Sequence, residues 1–99
     1  MKLSAARVFV RDLAGAQPFY RDILGLPLLA GGAAQGHLVF ESNGLRLVVE
    51  PVGHDAPADE QVLVGRFTGL SFSVSDIATT HAFLASKGVR FTGDPERQA

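Results

Sequence analysis

Proton transfer and anion binding are the two chemistries for which this chain supplies residues at workable spacing. Asn43-Gly44 separates two apolar-rich stretches, 37–42 and 45–50, and Asn-Gly is the strongest short signal for a two-residue hairpin turn. Such a turn sets Ser42 opposite Leu45, Glu41 opposite Arg46, Phe40 opposite Leu47, Val39 opposite Val48, Leu38 opposite Val49 and His37 opposite Glu50. A carboxylate facing an imidazole orients it and raises its pKa, so His37 and Glu50 are candidate catalytic residues, a general acid/base pair. The same two side chains also make sense as a partly solvated ion pair worth under about 1 kcal/mol. Arg7 and Arg46 suit an anionic ligand, or pairing with a surface carboxylate such as Glu41. Phe9 suits a stacking platform or plain core filling. His54 falls in a polar stretch and His81 on a helical one, as a surface or dimer-contact residue, and the three histidines have no metal-type spacing. No nucleophile elbow, phosphate-cradling glycine loop or pair of catalytic carboxylates emerges.

The elements that must position these residues come as an internal repeat. Asp12 recurs as Asp76 and Phe19 as Phe83, at one constant offset of 64 residues. Residues 5–11 and 69–75 alternate with the period of half-buried strands. Each Asp can accept hydrogen bonds from the free N–H groups of a following helix. After Asp12, apolar residues fall at Ala16, Phe19, Tyr20, Ile23 and Leu24, the stripe of an amphipathic helix. Pro18 lies inside that stripe, so the helix should start late or bend there. Gly25 and Gly88 close the two helices. Stretches 28–30, 37–42 and 45–50 follow as strands, 51–66 reads as a linker, and 89–92 as a last strand.

Composition narrows the partners. The 46% hydrophobic content is enough for a real core, so the chain is not of a disordered type. A net charge of −1 without any basic run argues against nucleic acid. Without cysteine, disulfides and thiolate chemistry drop out. The weakly polar run 23–34 is interrupted by Gly25, Pro27, Gly31 and Gly32, so no membrane span is expected, and neither is a signal peptide. The expectation is a soluble cytoplasmic protein. The small size makes an association partner plausible.

The string Val10-Arg11-Asp12-Leu13, Phe19-Tyr20-Arg21-Asp22, Leu24-Gly25-Leu26-Pro27-Leu28 resembles the opening of the vicinal-oxygen-chelate superfamily of glyoxalases, bleomycin-resistance proteins and dioxygenases. The second copy, 69–91, looks like the start of that family's second module. The resemblance implies an α+β fold of tandem βαβββ modules, the second incomplete, in a cup-shaped mixed sheet with helices outside. It makes residues 1–99 one domain, with 1–50 the first module, 51–66 the linker and 67–99 the partial second module. In metal-dependent relatives the ligands sit seven residues before each Asp, usually as His, and on a later strand, usually as Glu. The matching positions are Ala5, Gly69 and Val48, none able to ligate, and a fourth ligand would lie on a strand this chain lacks. No metal and no other cofactor is therefore expected. Relatives also continue past a turn like Gly93-Asp94-Pro95 into two more strands, so the chain looks C-terminally shortened. The edge left along 89–92 then calls for a partner, and a homodimer is expected.

In that frame Ala6, Val8 and Val10 face the helix with Leu38, Phe40, Leu45, Leu47 and Val49. The ligand-binding surface gathers Arg7, Phe9, His37, Arg46, Val48 and Glu50 opposite Ser71 and Ser73 of the second module. An aromatic ring with a few convergent polar groups is the usual make-up of a small-molecule pocket. Three functions follow: metal-free binding of a small neutral or anionic organic molecule; a lyase, isomerase or dioxygenase using an unconventional metal or acid/base site through His37 and Glu50; or a structural dimer module with a degenerate pocket.

Overall fold

A computed structural model describes residues 1–95. The chain divides into two compact units, Met1–Thr68 and a second beginning at Gly69. In the first, β1 (Ala5–Val10) leads into α1 (Leu13–Pro18), which runs on as a π-helical turn (Phe19–Ile23). Then come β2 (Leu28–Gly32), a 3-10 turn (Ala33–Gln35), β3 (His37–Ser42), β4 (Leu45–Pro51) and the one-turn helix α2 (Ala58–Gln61). The sheet order is β1-β4-β3-β2, with β1 parallel to β4 and the other neighbours antiparallel. This is the expected βαβββ module of a mixed α+β fold.

The β3–β4 register is the one the Asn-Gly turn dictates, from Ser42 opposite Leu45 to Leu38 opposite Val49. Asn43 and Gly44 take φ of 47° and 86°, the two left-handed residues that a type I′ turn requires. The Gly44 N–H donates to Glu41 Oε1 at 2.7 Å, latching the turn. Paired residues share a face, so this register sends Leu38, Phe40, Leu47 and Val49 to one side, where Leu13 completes the buried cluster. Leu38, Phe40 and Val49 are 0% exposed. Ala6, Val8, Val10, Ala16, Tyr20, Leu26 and Leu28 pack around them, as the alternation predicts. The Tyr20 ring lies 5.6 Å from that of Phe40 and edge-on to Phe19 at 5.1 Å. Burial pushes the Tyr20 hydroxyl above its ordinary pKa.

Pro18 acts on helix geometry rather than on the start. Asp12 Oδ1 accepts the Gly15 N–H at 3.1 Å, so the helix begins on schedule at Leu13. Pro18 has no N–H to give and crowds the preceding turn. The chain widens after it: Leu24 N–H donates to Phe19 O, five residues back, at 2.9 Å. Leu26 N–H to Tyr20 O at 3.0 Å and Gly25 at φ +75° close the end. On β2, Gly31 is irreplaceable. It has φ +86°, and a Cβ there would come within 2.2 Å of the His37 carbonyl oxygen.

The segment expected to be only a linker carries structure. Beyond α2, Val64 forms a parallel bridge with Phe9. Its apolar residues Leu63 and Val64 are half-buried, which an unstructured connection would not need.

The second unit contains α3 (Ile77–Ser86), capped by Asp76, whose Oδ1 accepts the Thr79 N–H at 3.0 Å. Gly88 follows the helix at φ +85°. The strands expected over 69–75 and 89–92 are not strands among the described residues. Alternation sorts side chains to two faces, but a strand exists only through its ladder, and neither stretch enters one. The expected open edge along 89–92 is therefore absent too. Apolar side chains are left half-exposed instead, among them Phe72, Val74, Ile77, Phe83 and Phe91.

Phe40→Ala should cost roughly 3–5 kcal/mol in a urea unfolding titration. Asp12→Ala should cost about 1 kcal/mol and Asp12→Asn much less, since asparagine also caps. The Thr79 N–H holds the Asp76 carboxyl below its ordinary value. The folded pKa is depressed, so this cap's contribution is full above the unfolded value and lost as pH falls through the folded one. The protection of the Thr79 amide against hydrogen exchange, taken relative to the intrinsic rate at each pH of an acid series, should fall only below the usual aspartate range.

Candidate functional site

The side of the sheet away from α1 carries the residues with chemistry. Ladder pairing puts Arg7 beside Val48, Phe9 beside Glu50 and Ala5 beside Arg46, with Val39 and Glu41 on the next strand. One polar clamp holds the chain after β4 beside the end of β1, and a second closes the loop that follows. Arg11 Nη1 donates to Val52 O at 3.0 Å and Gly53 O at 3.4 Å. Gln61 Nε2 donates to Gly53 O, His54 O and Ala56 O at 2.7, 3.1 and 3.1 Å. The loop 53–61 is thereby closed on itself, which delivers Val64 to its bridge with Phe9 and sets residues 63–68 alongside β1. Arg11 is thus a structural clamp.

Between β1 and 63–68 lies a cleft of about 260 Å³ lined by Arg7, Val8, Phe9, Leu63, Arg66, Phe67 and Thr68. A second hollow of about 430 Å³ adjoins it, sharing Val8, Phe9, Leu63, Arg66 and Thr68 and reaching Tyr20. Arg7 and Phe9 are the sequence-predicted residues brought into the cleft. Leu63 and Arg66 lie in the stretch expected as a linker and Phe67 at the start of the expected partial second module; the apolar run Val62-Leu63-Val64 amid polar neighbours is the only signal in that stretch.

The cleft's electrostatics turn on Glu50. Its Oε1 accepts from Arg7 Nη1 at 2.7 Å, and these side chains are 31% and 59% exposed. Such an exposed pair contributes under about 1 kcal/mol, so its importance is to charge and geometry rather than to stability. The expected His37–Glu50 partnership is not what Glu50 makes: among the described residues no hydrogen bond joins the two. On its other side His37 pairs with Gly32 of β2, and its ring leans over Gly31, with Cδ2 3.1 Å from where a Cβ would stand. Arg46 is exposed, opposite Glu41, whose carboxylate is taken by the Gly44 N–H. Val48 is half-buried beside Arg7. Ser71 and Ser73 lie exposed in the second unit, which contains a separate apolar hollow of about 240 Å³ lined by Phe72, Val74, Ile77, Leu84 and Phe91.

A divalent ion of the kind used by metal-dependent relatives does not fit the first unit's residues. The two matched positions, Ala5 and Val48, have no donor atoms, and their ladder partners are Arg46 and Arg7, whose charge repels a cation. No cluster of three His, Asp or Glu that could hold a metal occurs among the described residues.

A family model described as the Glyoxalase/Bleomycin resistance protein/Dioxygenase superfamily matches residues 2–99. The chain is 28% identical over 102 aligned positions to the uncharacterized protein YraH of Bacillus subtilis, covering 96% of this chain and 79% of that one. Among solved structures it is similar to an integron cassette protein from the mobile metagenome of Vibrio cholerae. The TM-score is 0.74 at 19% identity, over 99% of this chain and 76% of the other. It is also similar to TnmS3, an antibiotic binding protein from Streptomyces, with a TM-score of 0.71 at 23% identity, over 98% and 78%.

Arg7→Gln should lower stability by less than about 1 kcal/mol in chemical denaturation. Thermal melts with zinc, manganese or nickel should show no stoichiometric stabilisation; a metal-dependent rise in Tm accompanied by one bound ion per chain would contradict the donor chemistry.

Proposed function

The chain belongs to the glyoxalase/bleomycin resistance/dioxygenase superfamily, and from that premise we propose that it binds a small neutral or anionic organic molecule without a metal ion. One observation carries the reading. The cleft beside β1 combines an aromatic face from Phe9 with the guanidiniums of Arg7 and Arg66, while the family's ligand positions in the same unit, Ala5 and Val48, hold no donors. Apolar walls with a few fixed polar groups suit recognition of an organic molecule. The same fold is used by an antibiotic binding protein, so a binding role is within its reach. Among the described residues no helix is long and apolar enough to cross a membrane; a place in the cytoplasm is part of the proposal. The ligand-binding set is Arg7, Phe9 and Glu50, with Arg46 and Val48 on the same sheet face and His37 at its far end. Ser71 and Ser73, expected from the sequence as ligand-binding residues, lie in the second unit. Residues 1–99 are proposed to act as one domain, and the half-exposed apolar residues of the second unit support a homodimer.

The enzymatic alternative, a lyase, isomerase or dioxygenase, needs His37 as an acid or base. It is weakened by Glu50, which is engaged by Arg7.

A thermal-shift screen of neutral, anionic and cationic organic compounds tests the proposal. A ligand present at a hundred times its Kd should stabilise the fold by about 2.7 kcal/mol. Neutral or anionic compounds should do so, and Phe9→Ala should weaken them by roughly tenfold or more. Turnover of a bound compound that disappears in His37→Ala would favour the enzyme, and sizing chromatography decides the dimer.

A further inference from the structure

We infer that the ligand of the β1 cleft is an aromatic monocarboxylate, its carboxylate held by Arg66 and its ring by Phe9 and Phe67. This rests on the reading of that cleft as the ligand site. The charge count selects one anionic group. Two guanidiniums line the cleft, but Arg7 is already committed to Glu50 at 2.7 Å. Arg66 makes no hydrogen bond or ion pair among the described residues, although it lines both adjoining hollows. Arg11, which lines the adjoining hollow, is held by the Val52 and Gly53 carbonyls. Within the cleft itself one positive charge is left without a carboxylate, that of Arg66. A single carboxylate matches it, and a guanidinium fork binds a carboxylate through two parallel hydrogen bonds. A dianion would have to draw Arg7 away from Glu50, and a cation would meet the repulsion of Arg66.

The apolar half of the ligand follows from the rings. Phe9 is half-buried on the sheet, whereas Phe67 is 92% exposed and packs on no other ring among the described residues. An exposed phenyl group on the wall of a cleft gains from covering, and offset or edge-to-face aromatic contacts add about 0.5–1.5 kcal/mol beyond simple burial. Size limits the rest. Drug-sized ligands occupy pockets of roughly 300–1,000 Å³, and this cleft is about 260 Å³, room for one ring and a short acidic arm, with the adjoining hollow of about 430 Å³ open to any larger substituent.

The test uses the full 99-residue chain and four probes: phenylacetate, its neutral isostere phenylacetamide, the dianion phenylsuccinate, and acetate, which lacks the ring. Calorimetry gives affinities, and backbone amide shifts of Val8, Phe9 and Phe67 report the place of binding. Phenylacetate should bind about tenfold more tightly than phenylacetamide, a difference of about 1.4 kcal/mol. It should also exceed phenylsuccinate, and acetate should not bind measurably. The advantage over the amide should vanish in Arg66→Gln and shrink in Arg66→Lys, which keeps the charge without the fork; it should fall with salt in the unaltered protein, a readout that needs no variant. Equal binding of acid and amide at those amides overturns the carboxylate assignment and leaves the cleft as the ligand site. Aromatic probes that leave the three amides unmoved overturn the assignment as well. If Phe9→Ala then also leaves the ligands of the broader screen unaffected, the cleft itself is not the site.

Discussion

Everything in the first unit depends on the parity of one hairpin. With Asn43 and Gly44 both in left-handed conformations, Leu38 must meet Val49 and Phe40 must meet Leu47. A slip by a single residue would turn these side chains outward and bring Val39, Glu41 and Val48 into the core. The register therefore decides which residues are insulated from water and which are available to a ligand. The parallel pairing of β1 with β4 passes that decision on, so that Val8 packs inward while Arg7 and Phe9 look out.

On the outward face, the controlling feature is which cation Glu50 neutralises. By taking Arg7, it leaves Arg66 as the guanidinium of the β1 cleft that has no carboxylate partner among the described residues. The same pairing removes the partner that would have tuned His37. A weak surface ion pair thus has little bearing on whether the protein stays folded and more on the charge that its cleft presents.

The first unit was legible in the sequence to an unusual depth because its rules are local. Asn43-Gly44, Asp12, Gly25 and the alternation of 37–42 and 45–50 each act over a few residues, and each did what its type requires. The site was legible by half. Arg7 and Phe9 follow from strand alternation, but Leu63, Arg66 and Phe67 reach β1 with the help of the Val64 bridge and of hydrogen bonds from Arg11 and Gln61 to backbone carbonyls 41 or 42 and five to eight residues away. No periodicity marks such bonds. Pro18 was read correctly as a disturbance, but how a helix absorbs a missing N–H is a matter of the neighbouring packing. In the second unit, alternation over 69–75 promised a strand that only a ladder could create.

The irregular outer strand β2 has a consequence for how molecules of this protein meet. Its pairing with β3 shifts register between Leu28 and Ala30, and Gly31 bends the backbone at φ +86°. A straight, evenly spaced row of amides is what templates the addition of a foreign strand, and β2 does not present one. Fibrillar stacking through this rim is thus discouraged by backbone shape alone, without any charged gatekeeper on the strand.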